Sequence, residues 1–147
     1  MIPEVRFVKT SEKSKLPAFN IQDKLTGDIG ADIYSIHDVC IPARNSAIIQ
    51  TGLCVGYITP GYYFIISPRS GLGFKHSLQP CLGRIDNQYR GNLDVKMFNF
   101  SDVDYQVSSG DRIAQLEFHQ LIQPNLVWCE SVEDTQRGAK GFGSSGK

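Results

Sequence analysis

Cys54-Val55-Gly56-Tyr57-Ile58-Thr59-Pro60-Gly61-Tyr62-Tyr63-Phe64-Ile65-Ile66-Ser67 reads as two strands joined by a turn. Val, Ile, Tyr and Phe fill the runs Cys54–Ile58 and Tyr62–Ser67, and branched or aromatic side chains of this kind fit a pleated, half-buried surface. Between the runs, Pro60 pre-sets φ and Gly61 accepts a positive φ, so Thr59-Pro60-Gly61-Tyr62 is a turn on conformational grounds. The same signals recur outward from this stretch. Val5–Val8, Leu93–Phe98 and Asp104–Val107 are further short runs, punctuated by Pro42, Gly52, Gly83, Gly91 and Gly110. Short strands at a spacing of roughly 8–12 residues predict an all-β sandwich or barrel. One helical turn is expected after Ser70, with Ser70 as N-cap and Leu72, Lys75 and His76 following.

The 147 residues suit one domain with a core of its own. Fifteen basic and fifteen acidic side chains leave a formal net charge of zero, which argues against retention on nucleic acid or an anionic membrane by bulk charge. A small anionic substrate needs only a few well-placed cations and stays open. Hydrophobic content of 41% with 20% charged residues describes a globular chain. No apolar run approaches the roughly 20 residues that span a bilayer. Met-Ile-Pro-Glu-Val-Arg lacks a basic n-region and an apolar h-region, so no signal peptide and a cytoplasmic location are expected. Cys40, Cys54, Cys81 and Cys129 form no C-x-x-C pair and His37, His76 and His119 stand alone, so no zinc spacing is present. The thiols are expected to be buried or half-buried.

Five blocks in turn-like settings carry the chemistry: Gly30-Ala31-Asp32-Ile33-Tyr34-Ser35, Ser67-Pro68-Arg69-Ser70-Gly71-Leu72-Gly73, Gly83-Arg84-Ile85-Asp86-Asn87-Gln88-Tyr89-Arg90-Gly91, Gly110-Asp111-Arg112-Ile113-Ala114-Gln115-Leu116, and Arg137 to Gly146. In the second, the Ser70 hydroxyl and the N–H groups of Gly71 and Leu72 converge on an anion, with Arg69 adding a planar fork; the bland reading is a helix cap and a structural ion pair. In the third, a hairpin over Ile85–Gly91 would hold Asp86 to orient a water and Tyr89 to stack on a sugar or base, or else form an Asx-turn with a packing ring. The fifth sets Arg137, Lys140, Ser144, Ser145 and several glycines around Phe142, which reads as a phosphate cradle with a stacking platform or as a frayed terminus. It is not a P-loop, since G-x-x-x-x-G-K-[ST] is absent.

In order and approximate spacing, from about Gly30 to the C-terminus, these blocks resemble the five sequence motifs of the trimeric dUTPases. The resemblance implies a distorted jelly-roll β-barrel with one short helix, homotrimeric, with active sites at subunit interfaces. It divides the chain into a barrel domain, 1–134, and a flexible arm, 135–147, that closes over the site. It implies Mg²⁺-dependent hydrolysis of dUTP to dUMP and pyrophosphate, which keeps uracil out of DNA and supplies dUMP for dTMP synthesis.

Carried over residue by residue, Asp86 would activate the water that attacks the α-phosphorus in line, with Gln115 on the water or phosphates. Arg69, Ser70, Gly71, Arg137, Ser144 and Ser145 would bind the phosphates, and Asp32 would act on Mg²⁺ through its bound waters. Gly83, Ile85, Asp86 and Tyr89 would read uracil and deoxyribose, with Phe142 stacking on the base. Resemblance to this family also admits a host-cell cytoplasm or nucleus if the source is viral.

Arg84 stands where the family usually has a small or branched apolar residue, and Asn87-Gln88 replaces a commonly acidic pair, read as a solvent-side change. An added loop, Asn20–Asp28, precedes the first block with no role assigned. The alternatives are a nucleotide-binding regulatory module of the same fold and a dCTP deaminase. Tyr89-Arg90-Gly91 and the Phe142-bearing tail favour dUTPase over the deaminase.

Overall fold

Alternation decides where the chain goes. In Asn92–Asn99 the residues Leu93, Val95 and Met97 are buried while Asp94 and Lys96 face solvent, the period of a strand with one wet face. The computed structural model, which describes residues 1–143, 145 and 146, builds ten strands and one helix from such segments. In chain order these are β1 Val5–Lys9, β2 Gly30–Tyr34, β3 Val39–Ile41, β4 Ser46–Ile58, β5 Tyr62–Ser67, α1 Ser70–His76, β6 Leu78–Pro80, β7 Gly83–Ile85, β8 Asn92–Asn99, β9 Tyr105–Val107 and β10 Arg112–Gln120.

Two four-stranded sheets face each other, β1-β4-β8-β6 and β2-β10-β5-β7, with a β3-β9 ribbon beside them, and every named strand pair is antiparallel. From β4 to β8 the chain crosses between the sheets at each step, as the expected jelly roll requires. Ile33, Phe64, Ile66, Ile113 and Leu116 meet Ile49, Leu53, Val55, Leu93, Val95 and Met97 in the core between the sheets.

The runs Tyr62–Ser67, Leu93–Phe98 and Val5–Val8 are strands as expected, within a residue or so of their ends. Cys54–Ile58 is only the second half of a 13-residue strand. That strand is broken in register between Gln50 and Cys54, around Gly52 at φ 70°, where the Ser14 hydroxyl donates to the Gly52 carbonyl at 2.6 Å.

The hairpin expected over Ile85–Gly91 does not form. β7 pairs with β5 and β8 with β4, so the 86–91 turn is a crossover between sheets. The thiols also differ from expectation: Cys40, Cys81 and Cys129 are exposed and only Cys54 is half-buried. Cys40 sits at the outward position of β3 while its neighbour Ile41 points into the core. No helix among the described residues is long and apolar enough to cross a membrane.

Beyond β10, residues 121–143 carry no helix or strand and lie exposed. Leu126, Val127, Trp128 and Val132 are among the uncovered side chains, Trp128 at 99%.

Candidate active site

Sheet order brings the first, second and fourth blocks together. β10 lies between β2 and β5, with Gln115 opposite Asp32 on one side and Ser67 on the other. Leu116 points into the core, so Gln115 and Glu117 face outward, as does Asp32 beside the buried Ile33. The chain leaving β5 at Ser67 turns through Pro68-Arg69 into α1 at the same end of the sheet.

The result is a cleft of about 680 Å³ lined by Asp32, Arg69, Ser70, Gly71 and Gln115, together with Asp28, Asn20 and Arg112. That volume is ordinary for a small-molecule site.

Asp32 is the electrostatic centre of the cleft, 8% exposed. Its Oδ1 accepts from Arg69 Nε at 3.0 Å, and its Oδ2 lies 3.6 Å from Arg112 Nη1. Each guanidinium uses one edge on Asp32, and the remaining N–H groups suit an anion such as a phosphate. Gln115 Nε2 donates to the Pro68 carbonyl at 2.9 Å, which leaves its amide oxygen to accept.

Ser70 is not the N-cap. Arg69 takes that position with φ −87° and ψ 132°, and Ser70 is the first helical residue, with no side-chain cap bond at this end. Its hydroxyl is therefore not committed to the helix. With two glycines in seven residues, α1 is a weak helix held by its surroundings, and Ser77 closes it in the left-handed region at φ 55°.

The third block is placed apart from this cleft. Ile85 packs on the core and pairs with Phe64; Arg84, one residue before, is exposed and so points to the opposite face. β7 is the edge of its sheet, and its backbone groups on the side away from β5 have no strand partner. Continuing the register sets Asp86 opposite Tyr63, four residues along β5 from Ser67, or about 13 Å at the usual strand rise.

The turn that holds Asp86 is anchored by Asn87. Its Nδ2 donates to the carbonyls of Tyr62 at 2.8 Å, Thr59 at 2.9 Å and Ile58 at 3.3 Å. The solvent-side reading of Asn87 is thus overturned, because the residue is half-buried and ties this turn to the β4–β5 turn.

Tyr89 donates its hydroxyl to the Asn92 carbonyl at 2.6 Å. A Cβ at Gly91 would lie within 2.6 Å of the Tyr89 ring, so glycine there lets the ring lie across the chain.

Among the described residues the tail makes no hydrogen bond to either region. Arg137 Nη2 donates to the Gly141 carbonyl at 2.7 Å, Phe142 is fully exposed and Ser145 is exposed. Ser144 lies outside the described residues.

No three His, Cys, Asp or Glu side chains converge as a metal cage among the described residues. The donor set of the cleft, two carboxylates with a hydroxyl and the side-chain amides of Asn20, Gln79 and Gln115, fits an ion such as Mg²⁺ that is carried largely on phosphates and keeps its waters. Sequence reasoning missed Arg112, Asp28 and Asn20. Arg112 stood in the fourth block without a role; it lies opposite Tyr34 in the β2–β10 pair, two residues along β2 from Asp32, and only that pairing brings its guanidinium to the carboxylate.

A family model described as dUTPase matches residues 17–146. The chain is 42% identical over 138 residues to the mitochondrial deoxyuridine 5'-triphosphate nucleotidohydrolase of Dictyostelium discoideum, covering 94% of this chain and 74% of the relative. It is 40% identical over 138 residues to the probable deoxyuridine 5'-triphosphate nucleotidohydrolase of Schizosaccharomyces pombe, covering 94% and 95% of the two chains. Among solved structures it is similar to a mutant dUTPase of Staphylococcus bacteriophage 80alpha with dUpNHpp, at a TM-score of 0.83 and 28% identity over 98% of this chain and 99% of that one. A mutant dUTPase from phage phi11 of S. aureus, solved for the coordination of a structural Mg(II) ion, is similar at a TM-score of 0.75 and 25% identity over 89% and 99%.

Proposed function

The chain belongs to the dUTPase family, and we propose that its cleft around Asp32 holds the triphosphate while the open edge of β7, with Asp86 and Tyr89, reads the nucleoside. It is a dUTP diphosphatase, which hydrolyses dUTP to dUMP and pyrophosphate. The observation that carries the site reading is the cleft itself. Three blocks distant in sequence supply it with two arginines, a free hydroxyl, a glutamine and a buried carboxylate.

Hydrolysis at phosphorus depends on positioning and charge neutralisation more than on covalent chemistry. Arg69, Ser70 and the N–H of Gly71 bind phosphate oxygens, and Asp32 keeps the arginine forks oriented. Gln115, fixed by Pro68, offers its amide oxygen to the ordered water or its nitrogen edge to phosphate. Asp32 would hold Mg²⁺ carried by the triphosphate through the ion's bound waters, and the ion would supply further charge neutralisation there.

Asp86 orients the attacking water and accepts its proton. Uracil takes the place of a pairing strand, bonding the free backbone edge from Gly83 through Ile85 to Asp86. The Tyr89 ring, held by Asn92, packs under the deoxyribose. Arg84 points away from the Ile85 side, which leaves that edge open to a base.

These parts join in a homotrimer whose sites lie between subunits. The separation of Asp86 from the cleft and the uncovered Leu126, Val127 and Trp128 both support that assembly. Arg137, Ser144 and Ser145 then grip the terminal phosphate and Phe142 covers the base, so residues 135–147 act as an arm that orders on substrate.

The test is pyrophosphate release from dUTP, dCTP, dTTP and UTP with Mg²⁺, run beside Asp86→Asn. Release from dUTP alone, lowered by about 10²–10⁴ in the variant with dUpNHpp binding retained, is expected for loss of a general base. Unchanged kcat in the variant removes Asp86 from that role.

A further inference from the structure

Residues 20–28 are a closed loop that ends in the cleft. Asp23 Oδ1 accepts from Leu25 N–H at 2.8 Å, Thr26 N–H at 2.7 Å and the Thr26 hydroxyl at 3.0 Å. Gly27 N–H donates to the Asp23 carbonyl at 3.0 Å. The loop closes at Asp28, whose N–H donates to the Ile21 carbonyl at 2.9 Å while its Oδ2 accepts the Ile21 N–H at 3.0 Å. Asp28 is thus fixed by main chain and side chain together, and it lines the cleft with Asn20 beside Asp32, Arg69 and Arg112.

The two carboxylates of the cleft differ in what they have left to offer. Both oxygens of Asp32 face an arginine. In Asp28 only Oδ2 is engaged, and Oδ1 takes no partner among the described residues. A carboxylate beside a bound triphosphate is repulsive unless a divalent cation lies between them, and Mg²⁺ is commonly held by one or two carboxylates plus phosphates with several waters retained.

Resting on the cleft assignment above, we propose that Asp28 is a positioning residue for the metal-loaded nucleotide. Its free oxygen accepts from water on the Mg²⁺ that the substrate carries, and its charge disfavours the metal-free triphosphate. The 20–28 loop is then the part of this chain that selects the magnesium complex of the nucleotide over the nucleotide alone.

Asp28→Asn separates charge from scaffold, because the amide oxygen still accepts the Ile21 N–H while the charge is gone; Asp28→Ala removes both. The measurement is electron paramagnetic resonance titration of Mn²⁺ into the full chain with dUpNHpp, beside dUpNHpp binding in EDTA. Asp28→Asn is expected to weaken Mn²⁺ in the complex about tenfold, the lower end of what loss of an outer partner costs a metal site. It is also expected to tighten metal-free dUpNHpp, with the unfolding midpoint unchanged. Mn²⁺ affinity equal to that of the unsubstituted chain overturns the proposal and makes Asp28 a loop clamp, the more so if Asp28→Ala alone is impaired. If the unsubstituted chain binds dUpNHpp no better with Mn²⁺ than in EDTA, the cleft assignment itself is overturned, and this inference with it.

Discussion

Asn87→Ala is expected to loosen the turn that carries Asp86 by an amount that follows from its bonds. The amide nitrogen has two protons for three carbonyls, at 2.8 Å, 2.9 Å and 3.3 Å, so two effective bonds are lost. At about 1 kcal/mol net for each, the change costs about 2 kcal/mol, and water reaching the half-buried site keeps the figure from rising further. In a chain of this size that lowers Tm by about 4–8 °C. Asn87→Asp removes the same donors and turns carboxylate oxygens toward three carbonyl oxygens, so it is expected to cost a further 1 kcal/mol or so. Urea unfolding at one protein concentration gives the stabilities, and kcat at saturating dUTP reports whether Asp86 has moved. The order of the two variants decides the matter. An Asp variant as stable as the unsubstituted protein, or more stable than the Ala variant, would refute the donor-anchor reasoning.

Removing residues 138–147 is expected to reduce dUTP turnover at least 10²-fold. The unfolding midpoint should stay put, since the described part of that segment bonds only within the tail; a lowered midpoint makes the tail structural. Tyr89→Ala is expected to narrow the preference for dUTP over UTP in kcat/KM, and an unchanged ratio removes the ring from sugar discrimination. The Asp23 carboxyl is held below its ordinary range, chiefly by the Leu25 N–H and next by the N–H and hydroxyl of Thr26. Because the folded-state pKa is depressed, the loop order it supports is complete above the ordinary aspartate pKa and is lost as pH falls through the folded value. Following the Asp23 carboxyl and the Leu25 and Thr26 amides by NMR from neutral to acid pH should give a midpoint below the ordinary value, and a midpoint at that value contradicts the loop geometry.

What the sequence disclosed depended on how local the cause was. Tyr62–Ser67 was legible to its ends because its composition and the Pro60-Gly61 turn act within a few residues. The first half of β4 was hidden by Gly52, whose bend is stabilised by Ser14, 38 positions away. Ser70 carries the side chain of a cap, yet Arg69 takes the extended backbone, so the cap lies one residue early. Asn87 looked like surface because its acceptors lie 25–29 residues back, across a crossover between sheets. Asp32, Arg69, Ser70 and Gln115 were named from their blocks and do meet in the cleft. Arg112 and Asp28 join them only through the β2-β10-β5 order, which no single segment encodes.

The fit between Gly30 and Gln115 restricts how this chain can change over generations. A Cβ at position 30 would overlap the Gln115 side chain, whose Cδ is 2.6 Å and Cγ 2.8 Å from that point. The bond from Gln115 to the Pro68 carbonyl opposes the shift that a Cβ there would demand. An alanine at 30 is therefore expected to need a shifted or shortened side chain at 115, which gives up the contact that fixes Gln115 in the cleft. The two positions are expected to change together or not at all.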